Sequence, residues 1–269
     1  MVETKKLKIV VAGPRGRMGS ATVRMILNQA DFTLVGAVDV RHEGESIADV
    51  LGVSGTDARI YTDIGRCFAE SEPDVLVDFT NPASGKMNLR QAIADRVRPV
   101  IGTSGFTTED VERFKIEMDE AKLGGIIAPN FALGAVLLMK FSQLAAKYFP
   151  DVEIIELHHD QKKDAPSGTA VKTAELIAET RRKKRQGAEG EQETLPGARG
   201  ADYDGMRIHS VRLPGLIAHQ EVLFGGQGEL LTLRHDSMDR ASFMTGVAYA
   251  VRTVPVLDTL VYGLDKIID

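Results

Sequence analysis

The residues of this chain best equipped for chemistry lie close together near its middle. Two adjacent imidazoles, His158 and His159, are followed by the ammonium groups of Lys162 and Lys163. Imidazole and ammonium groups donate protons and pair with carboxylates, and grouping them is costly unless an anion or a reaction uses them. The pattern therefore predicts proton delivery to an anionic molecule.

The turn that follows these residues, Pro166-Ser167-Gly168-Thr169, leads into a helical pattern. Backbone N–H groups at the start of a helix bind anions, so the turn predicts a position for a substrate carboxylate. An alternative is that Ser167 or Thr169 only caps the helix. A zinc site is an alternative for the two histidines, but Cys and a convincing third ligand are lacking, and we expect no metal.

A second chemical signal is a glycine-rich stretch between a short apolar run and an amphipathic helical pattern. Glycines let the backbone turn sharply and approach an anion, and a helix N-terminus offers free N–H groups. The spacing G-x-x-G-x-x-G departs from the common G-x-G-x-x-G, but the order strand, loop, helix agrees with a dinucleotide site. The residues predicted to bind a nicotinamide cofactor here are Gly13, Pro14, Arg15, Gly16, Arg17 and Met18.

Two residues at the end of the second apolar run, Asp39 and Arg41, bear on which cofactor is bound. The carboxylate of Asp39 can accept hydrogen bonds from the adenosine ribose, which favours NADH. The guanidinium of Arg41 can hold a 2′-phosphate, which favours NADPH. The choice between NADH and NADPH therefore stays open, and use of both is compatible with the sequence.

Three later strand ends carry small or amide residues. Ligands of open α/β sheets bind at the carboxyl ends of the strands, so these positions are expected to surround the ribose and nicotinamide. They are Phe79 and Thr80, then Gly102, Thr103 and Ser104, then Ala128, Pro129, Asn130 and Phe131.

The elements that must position these residues differ between the two halves of the chain. In the first half, short β-branched runs alternate with helical patterns, which is typical of a doubly wound parallel sheet covered on both faces. The runs are Lys8–Ala12, Phe32–Asp39, Val75–Thr80, Pro99–Thr103 and Ile126–Ala128. The second half has strands in succession, which favours an antiparallel or mixed sheet. The fold class is therefore α/β, with a Rossmann-like domain and a second α+β domain whose sheet is mixed and mostly open.

The second half contains helical patterns near residues 133–148 and 169–182 and strand candidates at 152–158, 207–212, 220–224 and 229–234. Between them, residues 186–204 hold many Gly and Glu residues and predict a long loop that is mobile without ligand. From Arg240 the chain returns to a helical pattern and a short apolar run.

Composition excludes several classes of protein. The 269 residues carry 33 Lys and Arg against 38 Asp and Glu, which gives no footprint for nucleic acid. The single cysteine, Cys67, excludes an internal disulfide and suits a small helix residue. We see no apolar stretch long enough to span a bilayer and no signal-peptide core, so we expect no membrane contact and a cytoplasmic location.

The stretch E-L-H-H-x-x-K-x-D-A-P-S-G-T-A, from Glu156 to Ala170, closely resembles the signature of the dihydrodipicolinate reductases. The first glycine loop, Asp78-Phe79-Thr80, residues 102–105 and residues 128–131 resemble that family too, so the likeness covers most of the chain. One departure is Ala132, where many members carry Ser.

The resemblance implies reduction of a cyclic imine, formed from 4-hydroxy-tetrahydrodipicolinate by loss of water, to tetrahydrodipicolinate in lysine biosynthesis. It implies that His158 is the acid/base, that Lys162 donates a proton, and that His159, Gly168 and Thr169 hold the small dicarboxylate substrate. It also implies a homotetramer joined through the sheets of the second domain.

The resemblance further implies that the C-terminal tail completes the first domain. We therefore expect a dinucleotide-binding domain of residues 1–130 and 240–269, and a substrate-binding and oligomerisation domain of residues 131–239. Two other functions compete: another NAD(P)-dependent dehydrogenase of a small anionic substrate, and a dinucleotide sensor without catalysis. The sensor would leave His158, His159 and Lys162 without a use.

Overall fold

The computed structural model describes residues 6–268, and within them the chain forms two compact units. The first unit runs to Phe131 and resumes at Phe243, and the second spans Ala132–Ser242. No helix among the described residues is long and apolar enough to cross a membrane.

The first unit is built on a seven-stranded parallel sheet in the order β12-β6-β5-β4-β1-β2-β3. The strands are β1 (Leu7–Ala12), β2 (Phe32–Val38), β3 (Ile60–Tyr61), β4 (Val75–Asp78), β5 (Arg98–Ile101), β6 (Gly125–Ile127) and β12 (Leu260–Tyr262). The central strands are buried on both faces because helices cover the sheet, which explains their unbroken apolar runs.

The helices of this unit are α1 (Arg17–Leu27), α2 (Ile47–Leu51), α3 (Ile64–Ser71), α4 (Pro82–Ala94), α5 (Thr108–Ala121) and α8 (Met244–Thr253). Strand β1 pairs with β2 on one side and with β4 on the other, so the order of the strands reverses between β1 and β4. Such a reversal opens the crevice in which doubly wound sheets bind ligands. The predicted Rossmann-like sheet is confirmed.

The second unit contains helices α6 (Leu133–Ala145) and α7 (Gly168–Thr180) and a five-stranded sheet in the order β11-β10-β7-β9-β8. Its strands are β7 (Asp151–His158), β8 (Ala201–Tyr203), β9 (Met206–Arg212), β10 (Ala218–Gly226) and β11 (Glu229–Ser237). Strand β7 runs parallel to β9 and antiparallel to β10, which confirms the predicted mixed sheet.

The core of the second unit lies between the two helices and one face of the sheet. It contains Leu138 of α6, Ala174 and Ile177 of α7, and Val152 and Ile154 of β7. Along β7 the side chains at even positions from Val152 to Glu156 are buried, while those at odd positions are half-buried. This alternation divides β7 into two faces, as the pleat of a strand requires.

The sequence analysis was wrong in part about residues 186–204. The end of that stretch forms β8, and Tyr203 packs against the core. Arg199 reaches back to Glu153 of β7. The strands β3 and β12 were also not predicted as strands. They have two and three residues, which is too short for an alternation of apolar and polar residues to be recognised.

Candidate active site

Strand β7 brings a buried carboxylate against the first of the two adjacent histidines. Glu156 and His158 are two residues apart, so their side chains leave the strand on the same face. The Glu156 side chain is 0% exposed, and its Oε2 lies 2.5 Å from His158 Nδ1. The Nδ1 atom of His158 is therefore already hydrogen-bonded to Glu156.

Arg212, the last residue of β9, completes this arrangement. It lies opposite His158 in the parallel register of the two strands. Its Nη1 and Nη2 donate to Oε2 and Oε1 of Glu156 at 2.8 and 2.7 Å, a two-pronged pairing of planar groups. Nη2 also donates to the carbonyl oxygen of Asp164 at 2.8 Å, so the same guanidinium holds the loop after β7.

The turn before α7 is tied to the same carboxylate. The backbone N–H of Ser167 donates to Glu156 Oε1 at 3.1 Å, and the Ser167 hydroxyl accepts from the N–H of Ala170 at 3.2 Å. Ser167 is thus the N-cap of α7, and the binding of a substrate carboxylate by the same turn stays a prediction. Gly168 follows on an exposed position, with nothing within 4 Å of where a Cβ would stand.

Lys162 is held within the loop by a neighbour. Its Nζ donates to both carboxylate oxygens of Asp164 at 2.8 and 2.9 Å, and its backbone N–H donates to the carbonyl of His159 at 3.2 Å. The hydrogen bond from Lys162 is the main reason why the pKa of Asp164 is lowered. His159 itself is exposed to solvent.

The electrostatics of Glu156 keep it ionised. Burial on its own raises the pKa of Glu156, but the hydrogen bonds from His158 and Arg212 outweigh it and lower the pKa to about 2. A carboxylate in this state accepts hydrogen bonds only and is no proton donor near neutral pH. His158 and Lys162 stay the predicted candidates for proton exchange in this segment.

The glycine loop of the first unit has the geometry of an anion cradle. Gly13 adopts a φ of +77°, and a Cβ on Gly19 would stand 2.0 Å from the Gly13 carbonyl oxygen, so a side chain is excluded there. Gly16 is the N-cap of α1 and supplies no side-chain cap. The first N–H groups of α1 are thus left for an outside acceptor such as a phosphate. Arg15 and Arg17 beside them are exposed.

Asp39 lies just after β2 with a partner that the sequence analysis did not assign. Arg15 Nε donates to Asp39 Oδ2 at 3.1 Å, and the backbone N–H of Arg41 donates to Oδ1 at 3.2 Å. Arg15 Nη1 also lies 3.3 Å from His42 Nε2. The carboxylate that favours a ribose hydroxyl therefore already faces the positive charge of Arg15, and the Arg41 side chain is exposed.

The ends of β4 and β5 are joined through a completely buried carboxylate. Asp78 Oδ1 accepts from the hydroxyls of Thr80 and Thr103 at 2.7 and 2.6 Å, and Oδ2 accepts from Asn88 Nδ2 at 2.7 Å. These bonds fix the loops that carry the predicted cofactor residues. Sequence analysis placed these strand ends near one another but did not predict that Asp78 would join them.

Several predicted cofactor residues meet at these strand ends. The rings of Phe79 and Phe131 pack edge to face at 6.0 Å, and a Cβ on Gly102 would stand 2.0 Å from the Phe79 ring. Gly13 also approaches Phe79, whose carbonyl oxygen lies 2.8 Å from the position of a Cβ on Gly13. The remaining predicted positions vary in exposure: Pro14 and Ala128 are buried, Met18 and Asn130 are half-buried, and Ser104 and Pro129 are exposed.

Sequence reasoning missed the partners that fix the segment from His158 to Thr169. Glu156 stood at the head of the recognised motif, and its spacing from His158 in a strand could have placed both side chains on one face. Asp164 lies within the recognised motif, two residues after Lys162, but no role was predicted for it. Arg212 gave no signal, because its pairing with Glu156 joins residues 56 positions apart. Across residues 6–268, no three His, Cys, Asp or Glu side chains converge on a metal position.

Comparison with known proteins places this geometry in one family. The model of the dihydrodipicolinate reductase N-terminus matches residues 7–131, and that of the C-terminus matches residues 134–268. The chain is 60% identical to a 4-hydroxy-tetrahydrodipicolinate reductase of Geobacillus kaustophilus over 263 residues, which covers 98% of this chain and 99% of that protein. It is 59% identical to a protein of the same name from Bacillus licheniformis, again over 263 residues, 98% of each chain.

A solved structure has the same fold over nearly the whole chain. A dipicolinate-bound dihydrodipicolinate reductase from Paenisporosarcina sp. TG-14 superposes with a TM-score of 0.90 at 49% identity, covering 98% of this chain and 100% of the other. An amine dehydrogenase from Mycobacterium smegmatis shares the fold alone, with a TM-score of 0.69 at 14% identity over 96% of this chain and 95% of the other. On these matches, the chain belongs to the dihydrodipicolinate reductase family.

Proposed function

We propose that this chain reduces 4-hydroxy-tetrahydrodipicolinate, through its dehydrated cyclic imine, to tetrahydrodipicolinate in the diaminopimelate route to lysine. The chain is an oxidoreductase of the family that carries out this reaction with NADH or NADPH. The observation that carries the proposal is 60% identity over nearly the whole chain to a 4-hydroxy-tetrahydrodipicolinate reductase. The segment from His158 to Thr169 adds the proton donors that such a reduction needs.

The first unit supplies the residues that would hold the dinucleotide. The loop at Gly13, Gly16 and Gly19 suits a pyrophosphate, because a Cβ at Gly13 or Gly19 would clash with backbone, so the loop stays free of side chains there, and α1 has no side-chain cap. The other residues proposed to contact the cofactor are Pro14, Arg15, Arg17, Met18, Asp39, Arg41, Phe79, Thr80, Gly102, Thr103, Ser104, Ala128, Pro129, Asn130 and Phe131. The bound nicotinamide supplies the hydride.

The preference between the two cofactors turns on the end of β2. Asp39 disfavours a 2′-phosphate by charge, but Arg15 lies 3.1 Å from its carboxylate and offsets that charge. Arg41 is exposed and adds a second guanidinium. This balance favours the use of both NADH and NADPH.

The substrate carboxylates are assigned to the loop between β7 and α7. We propose that Gly168 and Thr169 at the start of α7, together with His159, bind one or both carboxylates. Lys162 now pairs with Asp164, whose side chain is 62% exposed. A substrate carboxylate would therefore compete with Asp164 for the Lys162 ammonium.

Proton transfer completes the reaction. Hydride addition to a conjugated C=N group builds electron density that a nearby acid must quench. Lys162 is proposed as the proton donor and His158 as the acid/base that exchanges protons with it or with the substrate. The buried carboxylate beside them, Glu156, is already paired with Arg212.

The proposal extends to the domains, the assembly and the location. Residues 1–130 with 240–269 would bind the dinucleotide, and residues 131–239 would bind substrate and join four copies into a homotetramer. A cytoplasmic location would give both domains access to their small-molecule ligands. Sedimentation equilibrium would test the tetramer, and a particle mass equal to one or two chains would contradict it.

The direct experiment is a cofactor-oxidation assay with freshly generated 4-hydroxy-tetrahydrodipicolinate, in which NADH and NADPH are compared side by side. We expect oxidation of at least one cofactor that depends on the substrate and stops when the substrate is exhausted. Oxidation of neither cofactor by folded protein would overturn the proposed function. A substrate-independent loss of cofactor would count against it equally.

A further inference from the structure

We propose that Glu156 is a positioning residue that fixes the ring of His158 for proton exchange and, with the same carboxylate, holds the substrate-binding turn in place. The inference rests on the proposed function, because it concerns the same reaction. It adds a residue outside the groups that touch substrate or cofactor. Glu156 is fully buried, and its partners are His158, Arg212, Ser167 and Ser210.

The hydrogen bond to His158 selects which ring nitrogen carries the proton. Ionised Glu156 can only accept, so the contact at 2.5 Å requires the hydrogen to lie on Nδ1 of His158. The neutral ring then has Nε2 as its unprotonated atom. In the described part of the chain, no hydrogen bond engages Nε2, and it is left for exchange with an outside partner.

The other contacts of Glu156 fix the turn relative to His158. Oε1 accepts from the Ser167 N–H at 3.1 Å, and Arg212 bridges both oxygens of Glu156 to the Asp164 carbonyl. Loop and turn are therefore held at both ends by groups attached to one carboxylate. A positional error of about 1 Å costs an enzyme on the order of a hundredfold in rate, so this arrangement bears on turnover.

The burial of Glu156 argues against the view that its charge serves only to stabilise the fold. Taking a carboxylate out of water is costly, and a buried ion pair often stabilises a fold no more than apolar residues would. Glu156 at 0% exposure bears such a cost, which its hydrogen bonds offset. A neutral residue of the same shape would fill the space, whereas only an acceptor on both oxygens fixes His158 and the turn together.

The same strand contains a matched control. Glu153 contacts His209 Nε2 at 2.8 Å and Arg199 Nη2 at 2.6 Å, so it also joins a histidine to an arginine. It lies on the other face of β7 and is 27% exposed. Neither partner belongs to the segment from His158 to Thr169.

The test compares Glu156→Gln, Glu156→Asp and Glu153→Gln with the wild type in the cofactor-oxidation assay. For Glu156→Gln we expect kcat to fall at least about tenfold, with the Kd of the reduced cofactor unchanged within about twofold. Glu156→Asp should recover part of kcat because it restores the charge. Glu153→Gln should stay within about twofold of the wild type.

A kcat for Glu156→Gln within twofold of the wild type would overturn the inference while leaving the proposed function intact. So would equal losses in Glu156→Gln and Glu153→Gln. An inactive wild type would instead remove the proposed function.

A second measurement covers the case in which Glu156→Gln does not fold. In ¹⁵N NMR spectra of histidine-labelled wild type, assigned with His158→Gln and recorded where the ring is neutral, we expect the proton on Nδ1. A proton on Nε2 would contradict the role assigned to Glu156.

Discussion

Two glutamates on β7 have the same kinds of partner and very different surroundings. Glu156 and Glu153 each bind one histidine and one arginine, but the first is 0% and the second 27% exposed. Glu156 faces the helices and joins the loop after β7, while Glu153 faces away and holds Arg199 of the 186–204 loop. Composition alone would have assigned them one role. The face of the strand separates a carboxylate in the proposed reaction site from one that holds Arg199 near the surface.

The comparison also concerns how strongly each carboxylate is held. In both cases burial raises the pKa of the glutamate, but the hydrogen bonds from arginine and histidine lower it by more than burial raises it. For Glu156 the result is a pKa of about 2, and for Glu153 the pKa is lowered as well. Hydrogen bonds to charged groups gain strength where water is excluded, so the buried site should dominate any energetic contrast.

The largest expected contrast is in stability. Removing the carboxylate in Glu156→Ala leaves the Arg212 guanidinium beside an apolar gap, and we expect a loss of about 3 kcal/mol in the free energy of unfolding. Glu153→Ala breaks a partly exposed pair and should cost about 1 kcal/mol or less. Urea unfolding followed by circular dichroism measures both. Similar losses in the two variants would erase the distinction between the faces.

The second contrast concerns acid. A pKa lowered in the folded state gives stability that is present above the unfolded pKa and is lost as pH falls through the folded pKa. For Glu156 the window runs from the ordinary glutamate pKa of 4.5 down to a pKa of about 2. The free energy of unfolding should fall across this window in the wild type, and less steeply in Glu156→Gln.

Glu153→Gln provides the control for the acid experiment. Because the Glu153 pKa is also lowered, this variant should remove a smaller part of the same slope. A titration of unfolding free energy against pH measures each slope. If Glu156→Gln kept the full wild-type slope, the strong binding of this carboxylate would be disproved.

The smallest expected effect separates capping from substrate binding. Ser167 and Ser46 are both N-cap serines, of α7 and α2. Ser167→Ala and Ser46→Ala should each cost about 1 kcal/mol of unfolding free energy. Only Ser167→Ala should raise the KM for the substrate, by about threefold or more, because its turn is the proposed carboxylate site. A KM change in Ser46→Ala of the same size would contradict that assignment.

The sequence predicted local features well because they depend on neighbouring residues. Apolar runs or alternation predicted the central strands β1, β4 and β7. Neighbouring histidines and lysines indicated the segment from His158 to Thr169. The cofactor loop followed from three glycines before a helix. Each signal is contained within about a dozen residues.

What the sequence could not predict depends on pairing between distant segments. Arg212 meets Glu156 only because β9 lies beside β7 in a particular register, and β12 joins the first sheet only after the chain has returned from the second unit. Arg15, after β1, reaches Asp39, after the neighbouring strand β2. A polar residue at a buried strand position, such as Glu156, is the one clue that sequence offered to such a partner.

The central claim is that His158 and Lys162 serve proton transfer in the proposed reduction. The most direct measurement is the turnover of His158→Gln and Lys162→Ala, with the Kd of the reduced cofactor measured by fluorescence on the same samples. We predict that each substitution lowers turnover at least about a hundredfold while cofactor affinity stays near that of the wild type. Cofactor affinity falling in step with turnover, or turnover near the wild-type value, would contradict the account.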